Sequence, residues 1–279
     1  MAEPVLTPDH PPSLRSPQPR PVTPTTILAE ELTDLYARVD AGLGRSELLE
    51  GLRRVRDLAA GLDSYVERCT SPESPALAHL AQRTREVDWG ATGPLEQEML
   101  SGHVEGWALN FLVRMSKARR VLEIGMFTGY SALAMAEALP DGGSVLALEL
   151  DEAAAALARE CFDESPVGHR ITVAVGPAQD SLRRLMADPQ AEPFDFVFID
   201  ADKAGYWDYV HLLLDSELLA PDGVVAVDNT LMQGQPYTGV GVTDNGRAIT
   251  AFNEAVIADP RVEHVMLPLR DGVTLIRRI

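Results

Sequence analysis

Arg120-Val121-Leu122-Glu123-Ile124-Gly125-Met126-Phe127-Thr128-Gly129-Tyr130-Ser131 is the stretch that decides the fold. A short apolar run with β-branched residues stops at Gly125, a second glycine follows at Gly129, and an Ala/Leu-rich helical pattern begins at Tyr130. It reads as strand, tight turn and helix. Two glycines at such a turn let a ligand approach the backbone of Gly125, Met126 and Phe127 closely. The Gly-x-x-x-Gly spacing differs from the Gly-x-Gly-x-x-Gly fingerprint of dinucleotide enzymes. A tight turn with no ligand is the other reading.

Downstream, the same alternation repeats. Ser144–Leu148, Ile171–Val175, Phe194–Ile199 and Gly223–Val227 are strand candidates, separated by helical stretches near 130–138, 152–161, 179–186 and 206–213. A helix near 247–258 leads into strand candidates 262–268 and 272–278, with Arg270-Asp271-Gly272 as a hairpin turn signal between them. This pattern predicts an α/β fold, a doubly wound, Rossmann-like sheet covered by helices on both faces. Right-handed crossovers put the C-terminal ends of its parallel strands on one ligand-binding edge.

Upstream, the character is helical. Ile27, Leu28, Leu32, Leu35 and Tyr36 recur at helical spacing, then Leu48, Leu49, Leu52 and Val55. Ser71-Pro72-Glu73-Ser74-Pro75 breaks the run, a helix covers 76–85, and 95–115 reads as one long helix with a break near Ser101-Gly102. Residues 1–24 carry eight prolines and are read as a flexible tail. The predicted organisation is a tail (1–24), a helical extension (25–94) and an α/β domain (95–279).

The chemistry gathers at strand ends. Glu149 closes the second strand at roughly the 20-residue separation from the glycine loop expected of a ribose-binding acid. Loop and acid together favour an adenosine-bearing ligand without separating NAD from S-adenosylmethionine. After the third strand, Gly176-Pro177-Ala178 leaves room for a flat base that Gln179 can contact, and Asp180 is a candidate helix cap. The fourth strand ends in Asp200-Ala201-Asp202-Lys203 and the fifth in Asp228-Asn229. Adjacent strands would bring Asp200, Asp228 and Asn229 together as a hard, oxygen-only donor set suited to Mg²⁺. Separate helix caps are the competing reading of each Asp.

Composition narrows the class. A formal net charge of -18 argues against a general nucleic-acid binder. Cys69 and Cys161 lie in no Cys-x-x-Cys or Cys/His cluster, which argues against zinc and a disulfide framework. No secretory pattern and no apolar run of ~18 residues is visible, so a cytoplasmic enzyme with no membrane partner is expected.

Residues 121–131, Phe198-Ile199-Asp200-Ala201-Asp202-Lys203 and Val227-Asp228-Asn229 jointly resemble the cation-dependent O-methyltransferases of the catechol and caffeoyl-CoA class, over about 95–279. The resemblance implies a seven-stranded methyltransferase sheet, S-adenosylmethionine as cofactor, a divalent cation (Mg²⁺) and a homodimer. It implies metal ligation by Asp200, Asp228 and Asn229, with Lys203 and Asp200 as the catalytic pair. It places the cofactor against Ser101, Glu105, Glu123, Gly125, Ser131 and Glu149; Met126, Phe127, Ala178, Gln179 and Asp200 are added as cofactor candidates from their places at the strand ends, and Lys203, Asp202 and Tyr237 are the candidates for the substrate. Ser101 is the weaker match, because its neighbours differ from the commoner pattern.

A closer resemblance, to the branch that forms 4-deoxygadusol, the core of mycosporine-like sunscreens, is carried by residues 59–63, 69–74, 95–103, 126–131 and 267–272. It implies a small enediol acceptor, demethyl-4-deoxygadusol, where the wider family implies a catechol. Three further residues, His103, Trp107 and Trp207, are candidates for the acceptor pocket, with core packing favoured for Trp107. Residues 233–245, rich in glycine, read as a mobile lid. Two other classes stand against this reading: a nicotinamide oxidoreductase, disfavoured by the missing fingerprint, and a noncatalytic ligand-binding protein, disfavoured by the intact acidic set.

Overall fold

The computed structural model describes residues 21–40, 46–91 and 95–279. Seven strands form one sheet in the order β3-β2-β1-β4-β5-β7-β6, where β1 is Arg120–Ile124, β2 Ser144–Glu149, β3 Ile171–Val175, β4 Phe194–Ile199, β5 Leu219–Val227, β6 Val262–Leu267 and β7 Val273–Arg278. β1 to β5 are parallel, and β7 runs antiparallel between β5 and β6. The expected doubly wound sheet is therefore present.

The central strands are buried on both sides because helices cover both faces. Along β4 the side chains alternate: Phe196 and Phe198 pack on one face with Leu80, Leu109, Leu133 and Met135, while Val197 and Ile199 pack on the other with Tyr206, Val210, Leu213 and Phe252. The helices are α1 (Pro24–Arg38), α2 (Ser46–Cys69), α3 (Pro75–Glu86), α4 (His103–Met115), α5 (Tyr130–Ala136), α6 (Glu152–Asp163), α7 (Ala178–Ala187), α8 (Tyr206–Asp215), α9 (Gln235–Thr238) and α10 (Asp244–Ala258). Side-chain caps fix several starts: Thr23 for α1, Ser74 for α3, Asp151 for α6 and Thr243 for α10.

The register positions the site. Ile124 pairs with Ile199, and Ile199 with Val227, so β1, β4 and β5 end level with one another. The ladder continues one residue further: Asp200 N donates to Ile124 O at 2.8 Å and Asp228 N to Ile199 O at 3.0 Å. Gly125, Asp200 and Asp228 are consequently the first residues past three adjacent strands, on one edge.

Several expectations are corrected. The end of the tail is structured: Thr23 is buried and forms a capping box with Thr26, and Pro24 opens α1 because its missing N–H costs nothing in a first turn. Residues 1–20 lie outside the described residues. The break expected near Ser101-Gly102 is present, where Gly102 takes φ 78° before α4, but the stretch ahead of it is a 3₁₀ turn (Gln97–Met99) and an extended Leu100 rather than helix. Within the helical extension, α3 packs on the α/β core: its Leu77 and Leu80 join the main cluster and its Thr84 donates to Thr128 at 2.8 Å. Asp180 does not cap α7, whose N-cap is Pro177; its carboxylate pairs with Arg183 at 2.8 Å. Strand β5 starts before Gly223, across an irregularity opposite Phe194 to Phe196. The expected lid contains the helical turn α9, and Gln235 Oε1 ties it to α10 by accepting from Thr243 N at 2.9 Å. His103 bonds Ser71 O at 2.5 Å, Trp107 packs on Phe111 and Trp207 on His211, and none of the three borders the cavity described next.

Candidate active site

A cavity of about 790 Å³ opens at the strand edge. Its floor is the glycine loop. Gly125 and Gly129 both take φ 88°, and Phe127 is left-handed at φ 52°. Glu149 anchors this loop: Oε2 accepts from Met126 N at 3.1 Å and Phe127 N at 2.6 Å, and Oε1 accepts from Asp151 N at 2.8 Å. Burial raises the Glu149 pKa, and these amide bonds oppose the rise. Glu149 thus shapes the loop as well as facing the cavity.

Ser101, Glu105, Gly125, Phe127, Glu149, Ala178 and Gln179, expected to hold the cofactor, all border the cavity. Met126 and Ser131 border a small recess beside it, together with Ser101 and Gly125. Glu123 borders neither. It is fully buried within β1, neither carboxylate oxygen has a hydrogen-bond partner, and burial pushes its pKa well up. A ligand contact from Glu123 itself is therefore not seen. Glu105 is also buried. Its Oε2 lies 3.5 Å from Arg270 Nη1 and its Oε1 is unpartnered; burial, then the Asp228 charge, raise its pKa well above the usual range.

Lys203 ties together two members of the acidic set, Asp200 and Asn229. Lys203 Nζ donates to Asp200 Oδ1 at 2.8 Å, to Asn229 Oδ1 at 2.6 Å and to Tyr206 OH at 2.7 Å. Three oxygens thus surround its Nζ. Asp228 beside them is buried, with Oδ1 unpartnered. Burial, then the Asp200 charge, push its pKa up to about 7, against the opposing charges of Lys203 and Arg270.

Among the described residues no three His, Cys, Asp or Glu side chains form a metal cluster. The set here is two carboxylates and an amide oxygen. It fits a hard divalent cation on two grounds: Asp200 Oδ1 and Asn229 Oδ1 already meet at the Lys203 amine, and a buried Asp228 oxygen beside them has no hydrogen-bond partner. Asn229 holds φ 59°, a left-handed conformation that aims its amide into the cluster.

Asp202 borders the cavity, but its Oδ1 accepts from Tyr209 OH at 2.7 Å. Tyr237 is not brought in. It sits on α9, 65% exposed and away from the cavity lining. Sequence reasoning missed five contributors. Val22 and Thr23 wall the cavity from a segment read as tail, Tyr206 receives Lys203, and Arg270 and Asp271 line it from what was read only as a hairpin turn. The spacing Lys203-x-x-Tyr206 at a helix start was the one available signal.

Comparison with known proteins shows the family and agrees with the fold. Residues 67–279 match the family model described as O-methyltransferase. Caffeoyl-CoA O-methyltransferase 2 of Zea mays is 40% identical over 218 residues, covering 74% of this chain and 78% of that one. Caffeoyl-CoA O-methyltransferase of Petroselinum crispum is 36% identical over 222 residues, covering 77% and 88%. The S-adenosylhomocysteine-bound methyltransferase of Podospora anserina superposes with a TM-score of 0.69 at 31% identity, covering 80% and 96%. An O-methyltransferase of Streptomyces achromogenes involved in tomaymycin synthesis, solved with S-adenosylmethionine, gives 0.68 at 30%, covering 78% and 96%. With the match running over most of its length, the chain belongs to the O-methyltransferase family and is an S-adenosylmethionine-dependent O-methyltransferase.

Proposed function

We propose that the enzyme transfers a methyl group to one hydroxyl of a vicinal dihydroxy small molecule, with a divalent cation, Mg²⁺, held by Asp200, Asp228 and Asn229. The observation that carries this is the convergence of Asp200, Asn229 and Lys203 beside the orphaned Asp228, one strand away from the glycine loop. S-adenosylmethionine supplies a methyl on a sulfonium, already a strong electrophile. The cation, when bound, supplies the positive charge that lowers a neighbouring hydroxyl pKa.

The chain's own residues do the rest. The amides of Met126 and Phe127, held by Glu149, define where the nucleoside lies, and Ala178 and Gln179 border the place for its base. Ser101 and Glu105, which border the same cavity, are the residues assigned to the methionine end. Lys203 Nζ is the group placed to exchange a proton with the acceptor hydroxyl once its present acceptors are engaged elsewhere. Holding both reactants in line contributes much of the acceleration, since effective molarities reach roughly 10⁵–10⁸ M.

For the acceptor we infer demethyl-4-deoxygadusol, a cyclohexenone enediol. Support comes from the likeness to the gadusol-forming branch at residues 59–63, 69–74 and 95–103, and from Val22 and Thr23, which narrow the cavity from the N-terminal side. A second reading, a catechol or caffeoyl-CoA-type phenolic, is favoured by the names of the relatives. Product analysis with labelled S-adenosylmethionine separates them. The expected result is a kcat/KM for the enediol about 100-fold or more above that for caffeoyl-CoA. Efficient caffeoyl-CoA turnover with none of the cyclohexenone would establish the phenolic reading instead.

A further inference from the structure

Arg270 sits in the turn between β6 and β7 with φ 49°, a conformation that glycine or asparagine ordinarily fills. The next residue but one, Gly272, supplies a second left-handed position at φ 90°. An arginine held this way needs a reason in its side chain. The guanidinium reaches the cavity, where Nη1 donates to Leu100 O at 3.1 Å and lies 3.5 Å from Glu105 Oε2. Nε and Nη2 make no hydrogen bond among the described residues, and neither is sealed from the cavity.

Two cationic side chains border the cavity, Lys203 and Arg270. Lys203 directs its three N–H bonds to Asp200, Tyr206 and Asn229. Arg270 is therefore the one with donors to offer, in a fork geometry that matches a carboxylate or an enolate. Gly102 leaves the room it needs, since a Cβ there would lie 3.2 Å from Nη1.

We propose that Arg270 is an oxyanion-binding residue of the active site, its free guanidinium edge pairing with a ligand carboxylate or enolate. The shared chemistry has two sources. One is the amino-acid carboxylate of the cofactor, next to Ser101 and Glu105. The other is the ionised enol of the acceptor, next to Asp228. The second source rests on the proposed enediol reading; the first does not.

The test uses the full chain with Arg270→Gly, which suits the left-handed backbone, and Arg270→Lys, which keeps the charge but not the fork. Calorimetry compares S-adenosylmethionine with its decarboxylated analogue, which has the same sulfonium and no carboxylate. Steady-state kinetics compare KM for the acidic enediol with KM for a neutral catechol. The expected result is a loss of about 10- to 100-fold for the anionic member of one pair and little for its neutral partner. Arg270→Lys should recover part of that loss. Loss on the cofactor pair assigns the carboxylate, and loss on the acceptor pair assigns the enolate. Equal changes within both pairs, or none, overturn the proposal and leave Arg270 as a clamp on Leu100. The calorimetric comparison needs no turnover, so failure of the acceptor reading is seen separately, as a wild-type enzyme inactive on the enediol.

Discussion

Asp228→Ala is expected to lower kcat/KM for methyl transfer by about 1,000-fold or more, the scale on which several kcal/mol of charge stabilisation disappear from a transition state. Binding of S-adenosylhomocysteine should change by less than about threefold, because Asp228 lies at the end of β5 while the nucleoside loop follows β1. The fold should tolerate the change. Asp228 is buried with one oxygen unpartnered, so its ionised form is destabilised in the native state and alanine removes that burden.

The pH dependence gives an independent readout. Its folded pKa of about 7 stands above the ordinary 3.8, so the native state holds the proton longer than the unfolded chain. This contribution to stability is present below the ordinary value and is lost as pH rises towards about 7. Thermal melts without added metal should therefore fall less steeply across that window in Asp228→Ala. Near-normal turnover by the variant at low metal would remove Asp228 from the ligand set.

Gly125→Ala should be the more damaging change. A Cβ at Gly125 would stand 2.2 Å from Asp200 O and 2.8 Å from Ala201 Cα, at a backbone φ of 88°. Neither neighbour can move freely, because Asp200 N is bonded to Ile124 O and Gly125 N to Leu148 O. Left-handed strain and overpacking each cost about 1–3 kcal/mol, so a loss of about 2–5 kcal/mol is expected from urea unfolding. Cofactor affinity should fall as well, since the loop is displaced. Gly61→Ala is the internal control: it lies within α2 with nothing within 4 Å of a new Cβ, and a gain of about 0.5–1 kcal/mol is expected there. A Gly125→Ala protein with wild-type stability and cofactor affinity would show that the strand ends are not packed as described.

Much of the sheet was legible because each parallel strand is an apolar run closed by a glycine or an acid. β1, β3 and β4 appear with the boundaries expected, and the level strand ends follow from adjacency in a doubly wound sheet. Asp200, Asp228 and Asn229 were readable for the same reason: each immediately follows a strand that topology brings to one edge. Apart from Tyr206, three positions from Lys203, the missed residues meet the site across long sequence separations. Arg270 contacts Leu100 from 170 positions away, and its own neighbourhood announces only a turn. Val22 and Thr23 lie at the end of a proline-rich run, where composition masks a buried helix cap. Tyr237 shows the opposite failure, since an aromatic among glycines carries no local sign of whether it turns to solvent or to a cavity.

The central claim is methyl transfer at a strand-end site completed by a divalent cation. Its most direct measurement is the rate of label transfer from S-adenosylmethionine to a vicinal dihydroxy acceptor, with chelator and then with Mg²⁺ restored. The expected result is loss of transfer under chelation and recovery on titration with Mg²⁺, with S-adenosylhomocysteine affinity unchanged throughout. A full rate in excess chelator would contradict the claim and leave Lys203, bonded to Asp200 and Asn229, as the resident charge of the site.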